Sequence, residues 1–139
     1  MAGFIVLEDG RAYAAANWAF RATLEAIVEE IPDSDEGKNL SAWLQDDPSI
    51  QCLCDLEVRE LSPKSKELFL PATERAFRTL CERGPVGWAD PTFWDGWIHR
   101  FGDLIKMIEC VRNGEPPSDF NPHMNGVMPP TSEKRGPGW

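Results

Sequence analysis

Between Asp90-Pro91 and Asn113-Gly114 the chain keeps one apolar stripe at helical spacing: Trp94, Trp97, Ile98, Phe101, Leu104, Ile105 and Ile108. A helix with so continuous an apolar side must lie against other elements. Its start is marked twice, by Asp90 as N-cap and by Pro91 at the first helical position, where a backbone donor would have no intrahelical partner. Fully burying one of its large aliphatic or Phe side chains contributes about 1.5 to 3 kcal/mol, so this helix is read as the central scaffold.

A second helix opens in the same way at Ser62-Pro63, buries Phe69, Ala72, Ala76, Phe77 and Leu80, and is closed by Gly84-Pro85. Pro71 lies inside it, where a kink or a break into two helices is expected. Towards the N-terminus, Phe4-Ile5-Val6-Leu7 is a short apolar run ended by Asp9-Gly10, which predicts a strand with a turn behind it. Residues from Ala12 to Ile31 are mostly good helix formers, and Tyr13, Phe20, Leu24, Ile27, Val28 and Ile31 share one face, so a single helix is predicted, stopped by Pro32. An acidic loop from Pro32 to Gly37 and a short helix from Asn39 to Leu44 follow. The stretch from Ile50 to Leu61 supports two readings. Ile50, Cys52, Cys54, Leu56 and Val58 alternate as in a half-buried strand, while Leu53, Leu56, Glu57 and Glu60 also stand at helical steps.

The fold class predicted from these elements is mainly α, a compact bundle of four or five helices with one or two short strands. Residues 1–114 are read as a single helical domain. Residues 115–139 are read as a C-terminal tail, because six of those 25 are proline, three are glycine and no periodic pattern survives. Phe120, Met124, Val127, Met128 and Trp139 are its apolar residues. At 139 residues one core suffices without a metal or disulfide. No apolar run approaches the roughly 20 residues that span a bilayer. The opening Met1–Asp9 has neither the basic flank nor the apolar length of a secretory signal, so a cytoplasmic location is expected.

The formal net charge is −9, which disfavours nucleic acid and anionic membranes as partners. Its position is more informative than its size. Residues 1–60 hold 13 acids and 4 bases, whereas residues 61–139 hold 10 of each. Within the first half, Glu25, Glu29, Glu30, Asp33, Asp35, Glu36, Asp46 and Asp47 face Lys38 alone. Trp18 joins them, because on its helix it points away from Phe20, Leu24 and Ile31 and towards Ala22, Glu25 and Glu29. Such a surface steers a basic protein, and an outward Trp anchors it, since Trp is enriched at binding hot spots. Acidic runs also serve simply to keep a protein soluble. Trp43, Trp94 and Trp97 are assigned to the core.

Motifs for catalysis and cofactors are missing from the sequence. There is no phosphate-binding glycine loop, dinucleotide fingerprint, nucleophile elbow or H-E-x-x-H pair. Counting an EF-hand loop from Asp33 puts Leu44 where a carboxylate is required. Cys52-x-Cys54 lacks zinc spacing, Cys81 and Cys110 stand alone, and the four are read as buried thiols. No cofactor is expected. Asp95, His99 and Asp103 follow at four-residue steps, either as a solvated helix face or as part of a metal site completed from another element.

In size, acidity and lack of a catalytic motif the chain is similar to bacterial immunity proteins, which bind and neutralise a cognate toxin. That likeness is one of class and carries over no residue. It implies a non-enzymatic interaction protein that binds and neutralises a toxin, and the charge reading expects a basic partner to meet Trp18, Glu25, Glu29, Glu30, Asp33, Asp35, Glu36, Asp46 and Asp47. The alternative is a metal-dependent enzyme or metal-binding protein built on the Asp/His/Asp row.

Overall fold

The computed structural model describes residues 2–115, which form five α-helices and a three-stranded sheet, a mainly α fold as predicted. The tail from 116 onward, with its apolar residues, lies outside the described residues. β1 (Ala2–Val6) and β2 (Ala12–Ala16) make an antiparallel hairpin, with Ile5 opposite Tyr13 and Val6 opposite Ala12. The turn between them closes where the Gly10 N–H donates to the Leu7 carbonyl at 2.9 Å, and Gly10 takes φ +93°, the left-handed region that glycine enters without steric penalty. Arg11, only 1% exposed, donates from its guanidinium to Asp9 and to the Glu115 carbonyl. Burial works against a charged Asp9, but the hydrogen bonds and charge of Arg11 outweigh it and hold that carboxyl below its usual range.

The predicted helix Ala12–Ile31 is therefore wrong over its first five residues. β2 runs without a loop into α1 (Asn17–Glu30), because Ala12–Ala16 satisfies the backbone groups of β1 across the hairpin. Non-local pairing overrides the intrinsic helix preference of alanine here. Phe20, Leu24 and Ile27 enter the core from α1 as expected.

The acidic loop is also shorter than predicted. Ser34 caps α2 (Asp35–Asp46) by accepting from the Gly37 N–H at 3.1 Å, so Asp35 and Glu36 occupy the first helical turn. A Cβ on Gly37 would stand 1.9 Å from the Pro32 carbonyl oxygen, which reserves this position for glycine. Next, α3 (Pro48–Gln51) and a left-handed Cys54 (φ +53°) turn the chain into β3 (Asp55–Glu57). β3 pairs parallel to β1, which becomes the central strand. Of the two readings for Ile50–Leu61 the strand holds for only three residues; a 3-10 turn, Val58–Glu60, follows it.

α4 (Pro63–Arg83) is one continuous helix with Ser62 as its cap, so the predicted break at Pro71 does not occur. Pro71 and Glu67, whose carbonyl loses its intrahelical donor, are both exposed, and water can take the donor's place. α5 (Pro91–Arg112) has Asp90 as cap, and Trp94, Trp97, Phe101, Leu104, Met107 and Ile108 are buried. A single core joins residues from Ile5 in β1 to Ile108 in α5; Phe4, Val6 and Ala12 form a smaller cluster.

One polar relay ties α1 to α5 inside that core. The Trp97 indole N–H donates to the Thr23 hydroxyl at 3.0 Å, and that hydroxyl donates to the Ala19 carbonyl at 2.7 Å. Thr23→Val keeps the shape but strands a buried indole donor, so stability should fall by about 1 to 3 kcal/mol in chemical denaturation. Tyr13 provides the opposite case. Its buried hydroxyl has no hydrogen-bond partner among the described residues. Burial pushes its phenol up to about 12, Arg100 opposes this and Asp103 adds to it. A raised folded-state value contributes stability that is complete below the unfolded phenol value near 10 and is lost as pH rises towards 12. Tyr13→Phe should therefore be at least as stable as the parent at neutral pH. Its denaturation midpoint should lose the alkaline fall that the parent shows between those two values.

Candidate functional site

The outer ridge of α1 carries Trp18, Glu25 and Glu29, at seven- and four-residue steps that return to one side of a helix. All three are exposed, Trp18 by 44%. Trp18 and Glu25 are about 10 Å apart along the axis at 1.5 Å per residue. Glu25 and Glu29 stand over a groove of about 300 Å³ between α1, α2 and α3, floored by Phe20, Leu24, Leu44 and Ile50. Arg21 shares that groove, with its guanidinium donating to the Gln51 carbonyl at 2.7 Å.

The remaining predicted acids divide by what they touch. Asp33 and Asp46 line a shallow hollow beside the groove, the two sharing Gln45, and Asp33 makes a fully solvated 3.6 Å contact with Lys38. An exposed pair of that kind contributes little to stability. Asp35 and Glu36, at the start of α2, complement the positive end of the helix. Glu30 faces the other way. Its carboxylate accepts from the Thr79 hydroxyl at 2.9 Å, and its carbonyl accepts from Arg75 at 2.8 Å, which secures α1 to α4. Asp47 accepts from the Ser49 N–H at 2.9 Å and caps α3. Trp18, Glu25 and Glu29 thus share one ridge with Asp33 and Asp46 nearby, whereas Glu30 and Asp47 serve the fold.

Around Trp18 the structure assembles a surface that the sequence reading missed. Trp18 meets Trp88 at 6.3 Å between ring centroids with planes at 61°, and Phe93 at 6.1 Å and 89°. Trp88 stacks in turn on the buried Trp97, at 5.3 Å and 25°. Trp18, Trp88, Ala89, Asp90 and Phe93 line an open hollow of about 370 Å³, and Phe93 is 60% exposed. The only signal in the sequence was negative: Phe93 falls off the apolar stripe of α5, and Trp88 belongs to no periodic segment. Trp94 and Trp97 pack in the core as assigned, whereas Trp43 is half-buried and packs against it.

The Asp/His/Asp row does not behave as one face. Asp95 and His99 are exposed, but Asp103 is buried, 3.6 Å from Arg100, whose guanidinium lies 5.2 Å over the Tyr13 ring. Among the described residues no three His, Cys, Asp or Glu side chains are grouped so as to hold a metal. Nor are the thiols uniformly buried. Cys54 is, whereas Cys52 and Cys81 are exposed and Cys110 is half-buried. The Cys81 thiol is raised by desolvation and by Glu82, and that of Cys110 by its hydrogen bond to Glu115, so neither is set up as a nucleophile. Neither a protein-family model, nor a curated protein, nor a solved structure matches this chain.

The ridge and the core differ in what truncation should do. Trp97→Ala removes a fully packed ring and should lower stability by about 3 to 5 kcal/mol. Trp18→Ala loses only edge contacts and partial burial, about 1 to 2 kcal/mol. Glu25→Gln and Glu29→Gln should stay within about 0.5 kcal/mol of the parent. Equilibrium denaturation of the four variants tests this order.

Proposed function

We propose that the chain is a non-enzymatic interaction protein that binds a basic partner protein in the cytoplasm through the α1 ridge. Trp18 is the apolar anchor, and Glu25 and Glu29, with Asp33 and Asp46 beside them, are the steering charges. The observation that carries this reading is a large aromatic residue, 44% exposed, on the same outer side of one helix as two exposed carboxylates. Each component has a separate physical task. Carboxylates at the rim of an interface raise the rate of encounter with a positive surface and disfavour acidic competitors. A Trp at its centre slows dissociation, because desolvated aromatic anchors hold much of the binding energy. A toxin neutralised by the chain is the instance that the likeness of class to immunity proteins points to.

Affinity capture from the native cell, followed by association kinetics of the captured protein over a salt series, tests the reading. The association rate should fall as salt rises, and Glu25→Lys with Glu29→Lys should lower it further. Trp18→Ala should act mainly on dissociation. An association rate unaffected by both salt and charge reversal would overturn the electrostatic basis of the proposal.

A further inference from the structure

We infer that the open hollow lined by Trp18, Trp88 and Phe93 is a binding site for a single cationic head group, an alkylammonium or guanidinium, with Asp90 as its counter-charge. The walls come from three segments: the first turn of α1, the α4–α5 connection and the first turn of α5. Trp18 lies at 89° to Phe93 and 61° to Trp88, so the rings meet as a corner and do not collapse into a stack. Trp88 is held from beneath by Trp97, which is 4% exposed, so that wall is fixed before any ligand arrives. The hollow of about 370 Å³ stays open although large apolar rings line it.

The chemistry of the lining selects the sign of the ligand. Aromatic faces attract cations through the ring quadrupole, most strongly for Trp, and cages of such rings bind quaternary ammonium groups. Asp90 adds the fourth side. Its Oδ1 accepts from the Thr92 N–H at 2.9 Å, and an ionised carboxylate keeps further acceptor positions after that bond. The positive end of α5 amounts to about half a charge, so a full carboxylate at its cap leaves the site negative. A neutral ligand gains nothing from the charge of Asp90, and an anion would be repelled by it. A cation satisfies rings and carboxylate together. The inference rests on the proposed function only for the carrier of this group, a basic side chain of the partner; the hollow's preference for a cation stands on its own walls.

The test uses the full chain, with the tryptophan indole N–H resonances as reporters. Choline, N-acetyl-arginine amide and N-acetyl-trimethyllysine amide should each shift the Trp18 and Trp88 signals saturably at millimolar concentration, leaving Trp43 unmoved. Whichever amino-acid amide saturates first identifies the head group. The neutral carbon isostere of choline, 3,3-dimethylbutan-1-ol, should give no saturable shift. Asp90→Asn retains a capping side chain and should weaken choline by about two- to fivefold, the upper range of an exposed ion pair, and Trp18→Ala should abolish saturation. Equal shifts from choline and its isostere, no saturation by any of the three cations, or unchanged choline binding in Asp90→Asn and Trp18→Ala would each overturn the assignment. Small cations that saturate a chain whose partner association ignores salt would remove the proposed function and keep this site. The reverse pair of results would remove the site and keep the function.

Discussion

One hydrogen bond determines where the exposed aromatic surface stands. The Trp97 indole enters the core from α5 and is oriented by the Thr23 hydroxyl of α1, which uses its own proton on the Ala19 carbonyl. Rotating that indole would leave a buried donor unmatched, so its ring plane has one low-energy setting. Contacts then pass outward from ring to ring. Phe77 and Phe101 lie on the inner side, Trp88 stacks on Trp97, and Trp18 and Phe93 meet at the surface. A wall built on a packed interior keeps its shape without a ligand, and preorganisation of this kind reduces the entropy lost on binding.

The elements legible in the sequence are those fixed by neighbours along the chain. Ser62-Pro63 and Asp90-Pro91 announce helix starts, and Gly84 takes φ +70° at the end of α4, because caps and stops depend on a few adjacent residues. β2 escaped for the opposite reason. Ala12–Ala16 is helical by preference, and only the presence of β1 across the Asp9-Gly10 turn makes it a strand. Asp-Gly between apolar runs is a hairpin signal, and here it prevails over the helix preference of the alanines. β3 was obscured likewise, since its partner β1 lies some fifty residues away. The same division applies to the site. Trp18 was legible because its angle on α1 conflicts with the apolar face, whereas Trp88 and Phe93 acquire meaning only from a neighbour brought by the tertiary fold.

The charge that first marked the N-terminal half acts differently once the fold is known. Of the four bases in residues 1–60, Arg11 is buried against Asp9, and Arg59 is held against the buried Glu57 at 2.8 Å. Each pair is close to neutral when seen from outside. Arg21 and Lys38 then remain as the exposed bases of that half, and Lys38 already meets Asp33. Each such pairing removes one acid with one base, so the field that an approaching protein meets is set by the same excess of nine acids that the residue counts give. At physiological ionic strength the field decays over about 8 Å, so it orients a partner only in the last approach. On the proposed function, selection follows at contact distance, where screening by salt is weaker and the ring faces and Asp90 act on individual groups. On the same proposal, long-range charge along α1 and its groove with α2, and short-range aromatic contact at the first turn of α1, are successive stages of one recognition event. Their separation along a single rigid helix allows each stage to change by mutation without the other.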